Sequence, residues 1–283
     1  MHRMYFFLSC TTDPPSNPYI SGDTFRSLAS RVYDAHATFL PADVVEKEVI
    51  FVGFSHLQKF FDEVHPAIKH RYILITHNGD ITIDKTRIKY MDRKIIHWFS
   101  QNVAIKHSKL TPIPIGIENL DYYNHGILSF LMKKRKTHGE RKSRILFGFS
   151  IMTNPLVRKK AVEELEKLET TDKIVGRLNA KQYSSLLSSY MFVASPPGNG
   201  IDCHRTWEAL YMGVIPIVLR SKATEYFFAC GLPIILVDNW SDLTKYSQKD
   251  LENIYRRMKK KFNSSALWIS YWKEKIDSIK RDL

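Results

Sequence analysis

The chain is poor in cysteine and has no long apolar run. Its 283 residues include only Cys10, Cys203 and Cys230, and no C-x-x-C pair occurs. This count disfavours a zinc ribbon or a redox pair and indicates free thiols in a reducing compartment. No apolar run approaches the roughly 20 residues of a membrane span, and the N-terminal run is too short for a signal peptide. We therefore expect a cytoplasmic protein without a membrane span.

Several nucleotide and metal motifs are also missing. Neither half opens with G-x-G-x-x-G, and no Walker A loop is present, which disfavours a nucleotide-sugar-modifying Rossmann enzyme. No D-x-D motif occurs, and no histidine pair has metal-ligand spacing. We expect no bound metal and no other cofactor.

The charge balance is strongly basic. Lysine and arginine total 42 against 29 acidic residues, a net charge of +13. Nucleic acid, an anionic membrane surface or a small polyanionic substrate would each suit this excess. The basic residues are spread out and form no nucleic-acid-binding motif, so a basic nucleic-acid-binding protein stays an alternative and no nucleic-acid partner is expected. The basic run at residues 133–144 has the composition of a linker between domains.

Short apolar runs alternate with helical patterns on both sides of this linker, which predicts parallel sheets covered by helices. The N-terminal half has predicted strands at 5–8, 48–54, 72–76, 94–99 and 110–115 and a predicted helix at 24–36. The C-terminal half has predicted strands at 145–149, 172–175, 191–195, 214–219 and 232–237 and predicted helices at 154–168, 182–189 and 203–212. One or two terminal helices are predicted at 250–277. We expect one domain at 1–132, a linker at 133–144, a second domain at 145–250, and terminal helices at 251–283 that pack back on the first domain.

The most informative stretch is residues 191–219, which has the pattern strand, glycine-rich loop, helix, strand. Gly198 and Gly200 would let the backbone approach a ligand, and Asp202 would cap the following helix. Amides at a helix start suit a phosphate, to which Arg205 could add a cation. Glu208 lies on the same helix face and could accept two hydrogen bonds from a ribose diol. A plain βαβ unit, with Arg205 and Glu208 as a solvent-exposed ion pair, is the alternative.

These residues also resemble a known family. Residues 195–200 (SPPGNG), Arg205-x-x-Glu208 and residues 213–218 (GVIPIV) are similar to the donor-site signature of exostosin-like glycosyltransferases. Residues 145–150, with Arg158 eight residues later, are similar to the strand and arginine-bearing helix that open the donor domain of this family. In the N-terminal half, residues 76–80, 98–102 and 112–116 resemble a related group that includes ribitol xylosyltransferases. The motifs are scattered over residues 72–219, about half of the chain. We expect the chain to lack the membrane anchor and stem of the family.

The resemblance implies an α/β fold of the GT-B type, with two Rossmann-like domains facing each other across a cleft. The domain at 1–132 would bind the acceptor, and the domain at 145–250 would bind the nucleotide sugar. It further implies an inverting, metal-independent transfer from a UDP-sugar, with xylose as the first candidate, to an oligosaccharide or glycoprotein glycan. In that case Glu208 would hold the ribose, and Arg205 and Arg158 would face the diphosphate. Ser195, Gly198, Asn199 and Gly200 would frame the donor.

An inverting transfer needs a general base, which we expect in loops that follow strands of the N-terminal half. The candidates are Asp80, His77, Glu118 and Asp13. We favour Asp80, because it lies in the polar cluster 77–80, where Gly79 allows a sharp turn. An ordinary Asn-Gly turn is the alternative for that cluster.

Overall fold

The computed structural model describes residue 14 and residues 16–120 and 141–281. Its N-terminal lobe contains a five-stranded sheet in which every adjacent pair is parallel and the strands follow chain order. The strands are β1 (Arg31–Tyr33), β2 (Glu48–Gly53), β3 (Tyr72–His77), β4 (Ile95–Ser100) and β5 (Leu110–Pro112). The three central strands are the continuous apolar runs of the sequence, and nearly all of their side chains are buried.

The helix predicted at residues 24–36 is wrong in its second half. Helix α1 covers only Gly22–Ser27, where Ser21 and Thr24 form a capping box, and the chain then enters strand β1. Residues 31–33 pair with residues 50–52 of β2. The apolar spacing predicted a helix here because a strand of three residues is too short to show a clear alternation of apolar and polar side chains. Pairing with β2 then overrides the weak local preference for helix.

The remaining helical segments of this lobe are short. Helix α2 (Leu57–Lys59) is one turn within an irregular helical stretch that continues through Phe60–Val64 and His65–Ala67.

The C-terminal lobe contains a second parallel sheet of five strands in the order β10-β9-β8-β6-β7. Its strands are β6 (Lys142–Phe147), β7 (Thr171–Lys173), β8 (Tyr190–Ala194), β9 (Ile215–Leu219) and β10 (Ile235–Val237). Its helices are α3 (Pro155–Leu165), α4 (Ala180–Leu187), α5 (His204–Tyr211), α6 (Lys222–Ala229), α7 (Gln248–Met258) and α8 (Ile269–Arg281). The expected α/β fold with two parallel sheets is confirmed.

The order of the second sheet creates a topological switch point between β6 and β8. The chain passes from β6 outward to β7 on one side and then returns to place β8 on the other side. Loops leaving the carboxyl ends of two such strands diverge, and ligands of open parallel sheets bind in the crevice between them.

The two lobes share one continuous buried cluster. It contains Phe25 of α1, Phe227 of α6 and Trp272 of α8, and the Trp272 ring lies 6.4 Å from the ring centroids of both phenylalanines. At the start of α8 the amide of Ile269 donates to the carbonyl of Pro18. The terminal helix therefore contacts both lobes and fixes one against the other.

Some predicted features lie outside the described residues, namely the strand at 5–8, Asp13 and most of the basic run at 133–144. Strand β6 begins at Lys142, three residues before its predicted start. Within residues 16–120 and 141–281, no helix is both long and apolar enough to cross a membrane.

Candidate functional site

A cavity of about 600 Å³ opens at the switch point of the C-terminal sheet. Its wall combines the segment after β6, the loop between β7 and α4, the first turns of α5, and one residue of the N-terminal lobe. The lining side chains relevant to chemistry are Glu118, Phe149, Arg177, Tyr183, His204, Arg205 and Glu208. An apolar cavity with a few convergent polar groups is the usual form of a small-molecule site.

Arg205 lies in the first turn of α5 and is partly oriented by the protein. Its Nε donates to the hydroxyl of Tyr183 at 3.2 Å, and its Nη2 donates to the carbonyl of Gly148 at 2.9 Å. Its guanidinium also lies over the Phe149 ring, 5.6 Å from the centroid. Among the described residues its Nη1 has no hydrogen-bond partner, so this edge can bind an anion in the cavity.

Glu208 and His204 share the helix face that carries Arg205. All three line the cavity, because Glu208 lies three positions after Arg205 and four after His204 along α5. His204 Nδ1 donates to the carbonyl of Gly116 at 2.8 Å. In the neutral ring this contact leaves Nε2 as an acceptor, a property that the sequence analysis missed because the partner comes from the other lobe.

Glu118 is the only residue of the described N-terminal lobe in the cavity wall. It lies after β5, in the loop that begins at Ile113. Its Oε2 is buried and has no hydrogen-bond partner among the described residues. A buried carboxylate oxygen without a protein partner is costly and points to a ligand group that would complete it.

Arg177 is a further cation in the cavity wall that the sequence analysis missed. It is exposed and lies in the loop before α4, next to Gly176, whose φ of +78° is the left-handed conformation that glycine tolerates best. The signal was weak, because a single arginine beside a glycine is common in surface turns.

Arg158 does not line the cavity. It is buried, and its Nε donates to the carbonyl of Pro197 while its Nη1 donates to the carbonyl of Ser150, both at 2.9 Å. Burial lowers the pKa of its guanidinium. The direct diphosphate contact predicted for Arg158 is therefore not what the geometry shows. The side chain instead ties the loop after β8 to the segment after β6.

The glycine-rich loop also faces the protein more than the cavity. Gly198 accepts from Asn154 through its carbonyl, and a Cβ on Gly200 would lie 2.7 Å from the side-chain amide of Asn102. Neither glycine has a positive φ. A Cβ on Gly198 would lie 3.0 Å from Nη2 of Arg158, so protein side chains lie close to both glycines.

The other two residues predicted to frame the donor are also placed outside the cavity wall. Ser195 is buried and its hydroxyl contacts Thr206 at 2.9 Å, whereas Asn199 is exposed.

Asp202 is not the N-cap predicted for α5. The N-cap residue is Cys203, which makes no side-chain cap hydrogen bond. The Asp202 carboxylate instead accepts from the amide of Ile115 at 3.0 Å and from the indole N–H of Trp207 at 2.7 Å. Burial raises its pKa to about 6, although these hydrogen bonds act in the opposite direction.

His77 and Asp80 lie apart from the cavity. His77 Nε2 donates to the carbonyl of Pro114 at 2.9 Å, its Nδ1 accepts from the amide of Asn78 at 2.8 Å, and burial lowers its pKa to about 4. Both ring nitrogens are thus engaged, which leaves no acceptor for a substrate proton. Asp80 is exposed and does not line the cavity. Of the three candidate bases that lie within the described residues, only Glu118 lines the cavity with Arg205 and Glu208.

Within residues 16–120 and 141–281, no group of three or more histidine, cysteine, aspartate or glutamate side chains could hold a metal ion.

No protein-family model matches the chain, and no curated protein matches it. Solved structures resemble it at low sequence identity. α,α-Trehalose-6-phosphate synthase from Burkholderia multivorans is 10% identical, with a TM-score of 0.46, over 85% of this chain and 73% of that one. An α1,3-fucosyltransferase is 13% identical, with a TM-score of 0.41, over 79% and 71% of the two chains. These similarities concern the fold alone.

Proposed function

We propose that the chain is a glycosyltransferase that binds a UDP-sugar in the cavity at the switch point and transfers the sugar to an acceptor hydroxyl. The observation that carries the proposal is the shared cavity. Arg205 and Glu208 enter it from one helix of the C-terminal lobe. Glu118 enters it from the N-terminal lobe with a buried oxygen that has no hydrogen-bond partner among the described residues. The exostosin-like resemblance supports a UDP-sugar as donor, xylose as its first candidate sugar, and an oligosaccharide or glycoprotein glycan as acceptor.

The donor would be held by complementary groups. The apolar wall around Phe149 and Ile174 suits a nucleobase, and Glu208 can accept hydrogen bonds from the ribose diol. The diphosphate would lie against Arg205, the amides at the start of α5 and the exposed Arg177. These cations replace the predicted pair of Arg205 and Arg158, because Arg158 is engaged elsewhere.

The chemistry would be a single displacement with inversion. The acceptor oxygen forms a bond to the anomeric carbon, and the bond from that carbon to the phosphate oxygen breaks. UDP leaves with the electron pair, and the acceptor proton passes to the carboxylate of Glu118. Arg205 and Arg177 would stabilise the charge that develops on the leaving phosphate without a metal ion.

Release of UDP from a panel of UDP-sugars, with and without simple glycan acceptors, tests this function. We expect acceptor-dependent release from one donor. Glu118→Gln keeps the shape of the side chain but cannot take the proton, so turnover should fall by roughly 10²–10⁴-fold while donor affinity stays within about twofold.

His204→Asn is the matched comparison, because His204 also presents an acceptor to the cavity. A loss confined to His204→Asn would transfer the role of base to that histidine. No UDP release from any donor, by a folded protein, would refute the function itself.

A further inference from the structure

Three side chains join the lobes beside the cavity, and the first is Asn102. It is buried, follows β4 and has a φ of +55°, an uncommon conformation for a residue other than glycine. Its Oδ1 accepts from the amide of Ile201 at 2.9 Å, and its Nδ2 donates to the carbonyl of Gly79 at 3.2 Å. One amide group therefore ties the donor-side loop to two strand ends of the N-terminal sheet.

Asp202 makes the second connection. Its Oδ2 accepts from Ile115 of the N-terminal lobe and from Trp207 of α5, and its Oδ1 accepts from its neighbour Cys203 at 2.9 Å. Three N–H donors thus converge on one buried carboxylate, and one of them comes from the opposite lobe. The third connection is the contact of His204 with the Gly116 carbonyl. It lies close to the connection of Asp202, because Gly116 follows Ile115 directly and His204 is two positions after Asp202.

The contacts of Asp202 and His204 reach the loop that carries Glu118. Gly116 has a φ of +70°, and a Cβ there would lie 2.1 Å from the carbonyl oxygen of Ile20. The amide of Ile117 donates to the same oxygen at 2.8 Å. Residues 115–117 are therefore fixed from both sides, and Glu118 is the next residue along the chain.

We propose that Asp202 is a positioning residue, which holds the loop of Glu118 against the start of α5 and so sets the base relative to the bound donor. The inference rests on the proposed function. Asp202 does not line the cavity, so it acts on the reaction through the backbone of Ile115. A small misplacement of a catalytic group can cost about 100-fold in rate without a change in donor contacts.

Asp202→Asn tests the proposal, because the amide NH₂ that replaces one oxygen would face an N–H donor. We expect kcat to fall about 10- to 100-fold, donor Kd to stay within about twofold, and the amide of Ile115 to exchange its hydrogen at least about 10-fold faster. Asp202→Glu, which keeps the charge, should recover part of the lost kcat.

Asp34→Asn is the control. Asp34 also accepts N–H hydrogen bonds from three residues, Arg26, His36 and Ala37, but all three lie within the N-terminal lobe. This variant should leave kcat and Ile115 exchange unchanged.

If the amide hydrogen of Ile115 exchanges at an unchanged rate in Asp202→Asn, Asp202 does not hold this backbone segment, whatever the activity of the protein. Faster exchange with unchanged kcat would overturn the positioning role. Either result leaves the effect of Glu118→Gln as a separate test of the proposed function.

Discussion

The guanidinium of Arg158 donates to the carbonyl of Pro197 over 2.9 Å. With its second hydrogen bond, to Ser150, this contact makes Arg158 a brace between two loops at the carboxyl ends of β6 and β8. The side chain that the sequence assigned to the diphosphate thus joins two loops, one of which supplies Ser150 to the cavity wall.

Arg158→Met should therefore destabilise the fold. Two carbonyls would lose their donors, so the free energy of unfolding should fall by about 2–4 kcal/mol, measured by urea denaturation. Arg256→Met is the control, because Arg256 makes only an exposed ion pair with Glu252 in α7 and should change stability by less than about 1 kcal/mol. Full stability together with lost donor affinity would show that Arg158 binds the donor after all.

Gly200→Ala should be destabilising because of Asn102. The new Cβ would lie 2.7 Å from both amide atoms of that side chain, and overpacking of this kind costs about 1–3 kcal/mol. Asn102→Ala removes the clash, so the double variant should lose less stability than the sum of the two single variants. Asn199→Ala, at the exposed neighbour, should be near neutral. Additive losses would contradict the contact.

His97 makes stability depend on pH. Burial lowers its pKa to about 4, helped by the charges of His107, Lys109 and Lys275. The folded state therefore favours the neutral ring, and this contribution is present above pH 6.5 and is lost as the pH falls toward 4. His97→Gln should reduce the fall in unfolding free energy between pH 7 and pH 5 by about 2 kcal/mol, whereas His36→Gln, at an exposed site, should not. An unchanged slope in His97→Gln would contradict the assignment.

Chelation tests how the leaving charge is stabilised. If Arg205 and Arg177 stabilise the developing diphosphate charge, turnover in excess EDTA should match turnover without it. Loss of turnover that manganese restores would show that a metal shares this role.

The sheets were predictable because their central strands are apolar runs bounded by polar turns. Strand β3, for example, is the predicted run at 72–76 extended by His77. The common helix face of Arg205 and Glu208 was also predictable, because it follows from residue spacing alone, and both side chains line the cavity. Features that depend only on the local spacing of residues can therefore be predicted from the sequence.

Choices between equivalent local signals were not predictable. Asp80 and Glu118 both follow strands of one sheet, and only the packing of the two lobes decides which loop reaches the cavity. The partners of Arg158 and Asp202, namely Pro197 and Ile115, lie 39 and 87 positions away along the chain, so no local pattern could show that these charges are engaged.

Calorimetric titration with UDP is the sharpest test of a nucleotide-sugar site in the cavity, because it requires neither the correct sugar nor the acceptor. We expect the wild-type chain to bind UDP and Glu208→Ala to weaken this binding by about 1–3 kcal/mol with the fold intact. Glu225→Ala, at a carboxylate of α6 that pairs with Lys222 at 3.1 Å, should bind UDP as the wild type does. Equal affinity of Glu208→Ala and wild type, or no UDP binding by the folded wild-type chain, would contradict a nucleotide-sugar site in this cavity.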